Sequence, residues 1–197
     1  MLNRKQWAAI AFTILIAAIG LWRLYAFNLY SIANSGVPEA QYRIGKLLYE
    51  SNAGKQADEE AVGWFKRAAN QGEVNAQVSL GVAYADGRGV EKDDSKSADW
   101  FRKAAEQNNA TAQLLLGQMY FLGKGVPLDY SEAMKWLQKA AQANLAPAQY
   151  AIGLLYENGL GVPKNPAEAV NWYRMAAAHD FKDAIRKLKA IDQPAIN

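Results

Sequence analysis

The chain has 197 residues, with 22 Lys and Arg against 19 Asp and Glu, and it contains no cysteine. The absence of cysteine excludes disulfide bonds and thiolate metal sites. Three basic residues, Arg4, Lys5 and Arg23, lie before residue 36 in a stretch without Asp or Glu, so residues 36–197 carry 19 charges of each sign. The pI near 9.0 therefore reflects the N-terminal segment and gives no basis for a nucleic-acid-binding surface on the rest of the chain.

The first predicted element is an apolar segment near the N-terminus. Residues 7–22 form an uncharged run of 16 residues that follows Arg4 and Lys5. A helix needs about 20 mainly apolar residues to cross a bilayer, and Arg23 can extend its charge to the headgroups beyond the apolar run. The pattern predicts a transmembrane signal-anchor helix over residues 6–25.

The flanking charges predict how this segment is oriented. Basic residues are more numerous before it than after it, so residues 1–5 are expected in the cytoplasm and the repeats in the periplasm, at a bacterial inner membrane. A cleaved signal peptide is the alternative, because Ala18 and Gly20 form a weak cleavage site. Residues 26–38 are predicted to be a short tether that ends at Pro38, a residue suited to the first position of a helix.

Beyond the tether, one pattern recurs four times at a fixed period of 36 residues, between residues 39 and 183. Each copy opens with Ala-Gln, has a glycine five residues after that alanine, and carries a tryptophan followed by an alanine pair. The copies are 40–75, 76–111, 112–147 and 148–183. Their glycines are Gly45, Gly81, Gly117 and Gly153, and their tryptophans are Trp64, Trp100, Trp136 and Trp172. A period of 20 to 50 residues is typical of a solenoid.

Two helices, A and B, are predicted in each copy. In the fourth copy, Ala148, Ile152 and Leu155 recur at a spacing of three to four residues and give helix A an apolar face. Gly159 permits the backbone conformation that ends this helix. Asn165 then suits the cap of helix B, and Asp129 suits the same position in the third copy.

The glycine and tryptophan columns call for packing explanations. A glycine inside a helix costs about 1 kcal/mol relative to alanine, so its return in every copy predicts a close approach by a neighbouring helix. The identical placement of the four tryptophans favours packing between helices over a ligand cage.

The two ends of the array depart from the pattern. The first copy lacks the Gly-x-Gly-Val turn of the later copies, as expected of a terminal repeat. Residues 184–197 continue the helix A pattern, but Lys189 stands where the glycine belongs. This segment is predicted to be a C-terminal capping helix and tail.

The combination of A-Q-x-x-L-G-x-x-Y, G-x-G-V, and W with K-A-A, at a period of 36 residues, resembles the Sel-one-like repeat family, relatives of the tetratricopeptide repeats. The resemblance implies an all-α, right-handed superhelical solenoid of helix-turn-helix repeats. It also implies an adaptor or scaffold in protein complexes, often linked in bacteria to the envelope or to secretion. The family supplies no catalytic residues.

The histidine content and the glycine-rich turns lead to the same expectation. His179 is the only histidine, so no histidine cluster can form. The Gly-x-Gly turns lack the preceding strand and the lysine spacing of a phosphate-binding loop. We therefore expect no enzyme activity, no cofactor, no metal site, no nucleic acid and no small-molecule substrate.

The candidate binding surface is the face of helix A opposite the repeated motif, expected to line the concave side of the solenoid. Its positions are two and six residues after each opening alanine: Tyr42, Lys46, Val78, Val82, Leu114, Gln118, Tyr150 and Leu154. Six of these eight are apolar or aromatic, which suits an extended peptide or an amphipathic helix. The alternative, which the sequence leaves open, is that several of them pack against neighbouring A helices.

Together these patterns predict a membrane-anchored scaffold or adaptor that assembles or regulates a cell-envelope complex. One alternative is a cell-wall enzyme or glycan-binding subunit that uses aromatics such as Tyr42, Tyr84 and Tyr150, which as an enzyme requires a carboxylate pair that the sequence does not reveal. The other is a secreted repeat protein after signal-peptide cleavage.

Overall fold

The computed structural model describes residues 28–192, and this part of the chain is helical throughout, without a β-strand. Helix α1 covers residues 28–34. The remaining helices are α2 (Pro38–Glu50), α3 (Lys55–Asn70), α4 (Val74–Asp86), α5 (Asp94–Glu106), α6 (Ala110–Leu122), α7 (Tyr130–Gln142), α8 (Ala146–Asn158), α9 (Pro166–Ala177) and α10 (Lys182–Asp192). The predicted all-α fold is confirmed. The predicted anchor over residues 6–25 and cytoplasmic segment over residues 1–5 lie outside the described residues.

The chain divides into two compact units, with a boundary between Glu73 and Val74. Unit one contains the described helices α1 to α3, and unit two contains α4 to α10. In unit two, helices A and B of each copy form the pairs α4/α5, α6/α7 and α8/α9, and α10 packs against α9. Contacts also join α5 to α6 and α7 to α8, so each helix packs on its neighbours in the chain. This nearest-neighbour packing is characteristic of a solenoid.

Capping residues begin the B helices where the sequence predicts them. Asp129 accepts backbone hydrogen bonds from Ser131 and Glu132 at 2.9 and 3.0 Å. Asn165 accepts one from the Glu168 amide at 3.1 Å. These bonds satisfy amide groups that have no partner within the first helical turn.

The turn from each helix B to the next helix A repeats one backbone conformation. The residue with positive φ recurs every 36 positions, at Gly36, Gly72, Asn108, Asn144 and Asp180. Glycine, asparagine and aspartate are the residue types that most readily adopt this left-handed conformation. The structural period therefore begins before the first copy identified from the sequence.

Helix α1 is that earlier element, although the sequence predicted a tether over residues 26–38. Leu29 and Ala33 of α1 are buried in the core of unit one, together with Ile44 of α2. Residues 28–34 are therefore an integral part of unit one. The sequence pattern missed this helix because Asn28 stands at the tryptophan position of the period.

A side-chain hydrogen bond shows which part of a repeat α1 represents. Gln41 Nε2 donates to the Ala33 carbonyl oxygen at 3.1 Å. In unit two, Gln113 Nε2 donates to the Ala105 carbonyl oxygen of α5, a B helix, at 3.2 Å. Because Ala33 and Ala105 differ by two periods, α1 corresponds to the last two turns of a helix B.

The repeated glycine of helix A lies against a large side chain of helix B. A Cβ atom placed on Gly153 would lie 2.4 Å from the Tyr173 ring, and one on Gly81 would lie 2.5 Å from the Phe101 ring. This approach explains why an otherwise costly helical glycine occurs at this position. The side chain involved directly follows the tryptophan, a relation that the sequence analysis did not identify.

Two tryptophans of unit two, Trp136 and Trp172, pack between consecutive helix pairs. Trp136 of α7 packs against the core formed by α5 and α6, and Trp172 of α9 packs against the core formed by α7 and α8. Lys139 Nζ lies 4.2 Å from the centroid of the Trp136 ring, within cation–π range.

Between residues 28 and 192, no helix combines the length and apolar character needed to cross a bilayer.

Candidate functional site

The predicted strip on helix A divides into packing positions and groove positions. Val78 and Val82 are half-buried beside the core of α5 and α6. Leu114 is half-buried beside the core of α7 and α8. These three side chains pack between consecutive helix pairs within unit two.

In unit one, the two strip positions differ from each other. Tyr42 is half-buried, with its ring centroid 6.2 Å from that of Phe65. Lys46 is exposed and lies 3.7 Å from a Glu50 carboxylate oxygen. An exposed i,i+4 pair of this kind contributes little to stability.

The remaining strip residues, Gln118, Tyr150 and Leu154, line one groove in unit two with a volume of about 420 Å³. Phe121 and Leu122, at the end of α6, extend its wall. This volume lies within the range of about 300–1,000 Å³ that is common for binding pockets. The spacing along helix A predicts three of these five residues but does not extend to the two at the end of the helix.

Aromatic rings form the side of the groove near α10. The Tyr150 ring centroid lies 5.4 Å from those of both Tyr173 and Phe181. Tyr173 is fully buried and Phe181 is half-buried. Such ring pairs add about 0.5–1.5 kcal/mol beyond the area they bury, so this side of the groove is held in a defined shape.

Leu122 differs in polarity from its counterparts in all the other copies. Its side chain is 66% exposed. The equivalent residues are Glu50, Asp86 and Asn158, all polar. A large apolar side chain that faces solvent at a position where related copies are polar is a feature of interaction surfaces.

A polar network connects the helices that form the aromatic side of the groove. The Tyr173 hydroxyl donates to a Glu157 carboxylate oxygen at 2.5 Å, and Lys187 Nζ lies 2.9 Å from the other oxygen. Burial raises the pKa of Tyr173, and the bond to Glu157 raises it further. Burial also acts to raise the pKa of Glu157, but the hydrogen bonds from Tyr173 and Lys187 outweigh it and lower that pKa. The network joins α8, α9 and α10.

The groove continues into a more polar pocket of about 460 Å³ along α10. Tyr150 and Asp183 line both pockets, and Arg186 and Lys187 line the second. Arg186 forms an ion pair with Asp183. The two pockets together offer an apolar end, beside Leu122, and a charged end, beside α10.

Within residues 28–192, no group of three His, Asp or Glu side chains is arranged to hold a metal ion. His179 lies exposed after α9, outside the residues that line the groove.

The sequence matches the Sel1 repeat at residues 38–73, 74–109, 110–145 and 146–181. The chain belongs to the Sel1 repeat family. Each Sel1 repeat begins two residues before an opening alanine of the copies defined above. Sel1 repeat proteins generally mediate protein–protein interaction.

Solved structures with Sel1-like repeats resemble this one. The protective antigen c5321 of uropathogenic Escherichia coli, which displays an SLR fold, is 34% identical with a TM-score of 0.79, over 83% of this chain and 35% of the antigen. A Sel1 repeat protein from Oxalobacter formigenes is also 34% identical, with a TM-score of 0.72 over 82% of this chain and 72% of that protein.

Cysteine-rich protein B of Helicobacter pylori is a more distant relative, 25% identical with a TM-score of 0.53 over 68% of this chain and 96% of that protein. By comparison, this chain spans only about a third of the length of the Escherichia coli antigen. No curated protein matches the chain.

Proposed function

We propose that this Sel1 repeat protein is a non-catalytic scaffold whose groove in unit two binds a peptide or an amphipathic helix of a partner protein. The observation that carries the proposal is the exposed Leu122 at the rim of a largely apolar groove. If an apolar side chain of a partner entered this groove, that side chain and the apolar wall of the groove would both be removed from water. Such burial contributes about 25 cal/mol of binding free energy per Å² of apolar area.

The shape of the groove supports a segment of protein as the occupant. Its wall comes mainly from α6 and α8, with Leu137 of α7, Phe181 and Asp183 completing it, so it runs across consecutive A helices. Amphipathic helices and extended peptides are the ligands that such grooves accept, with apolar anchors at regular spacing.

We further propose that the scaffold acts at the bacterial inner membrane and faces the periplasm. The support is the sequence alone: the uncharged run over residues 7–22 and the basic residues before it. An anchor would confine the repeats to the membrane surface and raise their effective concentration toward other envelope proteins. Assembly or regulation of an envelope complex is the role that this arrangement favours.

Photo-crosslinking in living cells tests the binding site. A photoreactive residue replaces Leu122 in one variant and Leu128 in a matched control. Both leucines belong to the third copy and are largely exposed, at 66% and 56%, but only Leu122 lines the groove. We expect a protein adduct from position 122 that is absent from position 128, and mass spectrometry identifies it.

Equal adducts from the two positions, or none from position 122, would contradict the proposed groove. A protease-protection assay on intact spheroplasts tests the location separately: repeats that remain protected from external protease would contradict the periplasmic orientation.

A further inference from the structure

Unit one exposes two apolar side chains at positions that are buried in every later copy. Ile32 of α1 is 41% exposed and Leu47 of α2 is 46% exposed. At intervals of 36 residues, Ile32 is followed by Ala68, Ala104, Ala140 and Ala176, and Leu47 is followed by Ala83, Met119 and Leu155. All seven of these counterparts are buried.

In unit two, the counterparts of Ile32 and Leu47 belong to shared cores. The core of α5 and α6 contains one such pair, and the core of α7 and α8 contains another. These pairs are Ala104 with Met119 and Ala140 with Leu155. The matching core of unit one contains other residues of α1 and α2 but neither Ile32 nor Leu47. The two side chains mark an open side of this core, which we call the N-terminal edge.

The N-terminal edge is not suited to a further repeat. Ile32 is larger than the fully buried alanines at its equivalent positions, so a helix packed there as in the later copies would be overpacked. Arg4 and Lys5 stand one period before the Ala-Gln of the first copy, at positions that are buried in all four copies. Burial of two unpaired charges would be costly. The sequence before α1 therefore lacks the pattern of another helix A.

The place of the edge in the chain favours a lipid surface instead. The predicted anchor ends at residue 25 and α1 begins at residue 28, so the intervening chain spans at most about 10 Å. The headgroup layer of a bilayer is itself about 5–8 Å thick. No charged residue lies between Leu24 and Pro38. Tyr30 of α1 is exposed and is a residue type that is enriched at membrane interfaces.

The charges of unit one indicate which lipid property matters. Helices α1 to α3 carry five basic and five acidic residues. Within α2, Arg43 pairs with Glu39 at 2.8 Å and Lys46 lies 3.7 Å from Glu50. This balance gives no reason for a preference for anionic lipids. Burial of apolar area at the boundary of headgroups and acyl chains would supply the attraction.

We infer that the N-terminal edge binds the surface of the bilayer, with Ile32 and Leu47 at the boundary of headgroups and acyl chains. This inference rests on the membrane anchor of the proposed function and adds a second membrane contact, made by the folded repeats. Two contacts restrict the orientation of unit one at the membrane, whereas an anchor alone would leave it free to rotate.

Lipid quenching of a single fluorophore tests the inference, since the chain has no cysteine of its own. Ile32→Cys, Leu47→Cys and the control Leu128→Cys each carry an environment-sensitive label, in the full chain reconstituted in phosphatidylcholine vesicles. Leu128 is also apolar and exposed, but its counterparts Lys92 and Lys164 are not core residues. Lipids with a nitroxide near the headgroup should quench the labels at 32 and 47 about threefold and the label at 128 less than about 1.5-fold.

Two further changes examine the physical cause. Ile32→Asp should reduce the quenching of a label at position 47 to less than about 1.5-fold, because a charge resists transfer to the apolar boundary. Leu128→Asp is the matched control and should leave that quenching unchanged. Phosphatidylglycerol added to the vesicles should also leave it unchanged, and quenching that required the anionic lipid would overturn the apolar contact.

The outcomes separate this inference from the proposed anchor. Labels at 32 and 47 that aqueous iodide quenches and lipid does not would show an edge open to water. Labels protected from both quenchers would show an edge covered by protein, either a second copy or the residues before α1. Either result, or equal lipid quenching at 128, would overturn the inference while vesicle flotation after an alkaline wash still supported the anchor. Loss of flotation would contradict the anchor and this inference together.

Discussion

Two faces of the same A helices differ in how far they tolerate change. On the face toward helix B, α6 and α8 carry Gly117 and Gly153, each less than 3 Å from a partner side chain once a Cβ is added. On the groove face, the same helices carry Leu122 and Asn158 at equivalent positions. The first face is fixed by packing, and the second is free to vary between copies. Recognition can therefore change from copy to copy without loss of the fold.

The largest loss of stability is expected from replacing a glycine that contacts the backbone of the preceding repeat. A Cβ on Gly125 would lie 2.1 Å from the Asp94 carbonyl oxygen, and its φ is +71°. Gly125→Ala should lower the free energy of unfolding by about 2–4 kcal/mol, because it combines left-handed strain with overpacking. Urea denaturation followed by circular dichroism measures the loss.

Gly159→Ala is the matched control for Gly125→Ala. Gly159 has the same φ of +71°, but its added Cβ would meet Lys164 of its own repeat, with the Lys164 Cβ at 3.0 Å and the backbone N and Cα at 3.3 and 3.4 Å. We expect a loss of about 1–2 kcal/mol, mainly from left-handed strain. Equal losses in the two variants would show that contact between successive repeats does not explain the second glycine of the turn.

The helical glycine of the packed face should show the next largest effect. Gly153→Ala places a Cβ 2.4 Å from the buried Tyr173 ring and should cost about 1–3 kcal/mol. Gly63→Ala makes the same change within α3, where a Cβ would meet nothing within 4 Å. That variant should gain about 0.5–1 kcal/mol from helix propensity. Thermal unfolding of the two variants compares the signs, and destabilisation by both would contradict the packing explanation.

A smaller effect is expected from the network beneath the groove, and it depends on pH. The pKa of Glu157 is lower in the folded chain than its ordinary value of 4.5. Its contribution to stability is therefore present above pH 4.5 and is lost as the pH falls through the folded pKa. The difference in free energy of unfolding between the wild type and Glu157→Gln should shrink below pH 4.5. A difference that widens on acidification would contradict this assignment.

Much of the fold could be predicted because it depends on local sequence. The 36-residue period, the capping residues Asp129 and Asn165 and the helix-ending Gly159 each act within a few residues of their own position. Helix α1 could not be predicted in this way, since its similarity to a helix B lies in buried contacts and in the backbone of Gly36, while its tryptophan position holds Asn28.

The candidate site was predictable only in part for a related reason. Spacing along helix A identified Tyr150 and Leu154, but it could not separate them from Val78 and Val82, which pack between helix pairs. That distinction depends on which neighbouring helix covers each side chain. The exposed Leu122 could have been found by comparing copies, because it is the apolar exception in a polar column.

The most direct test of the account measures stability and partner capture in one variant, Leu122→Asp, which gives the third copy the residue that the second carries at Asp86. Because Leu122 is 66% exposed, the free energy of unfolding should change by less than about 0.5 kcal/mol. A photoreactive residue placed at Gln118, which also lines the groove, reports partner capture. Crosslinking from this position should be lost in Leu122→Asp and retained in the control, Leu128→Asp. Crosslinking that persists in Leu122→Asp, or a loss of stability above about 1 kcal/mol, would contradict the separation of a packing face from a recognition face.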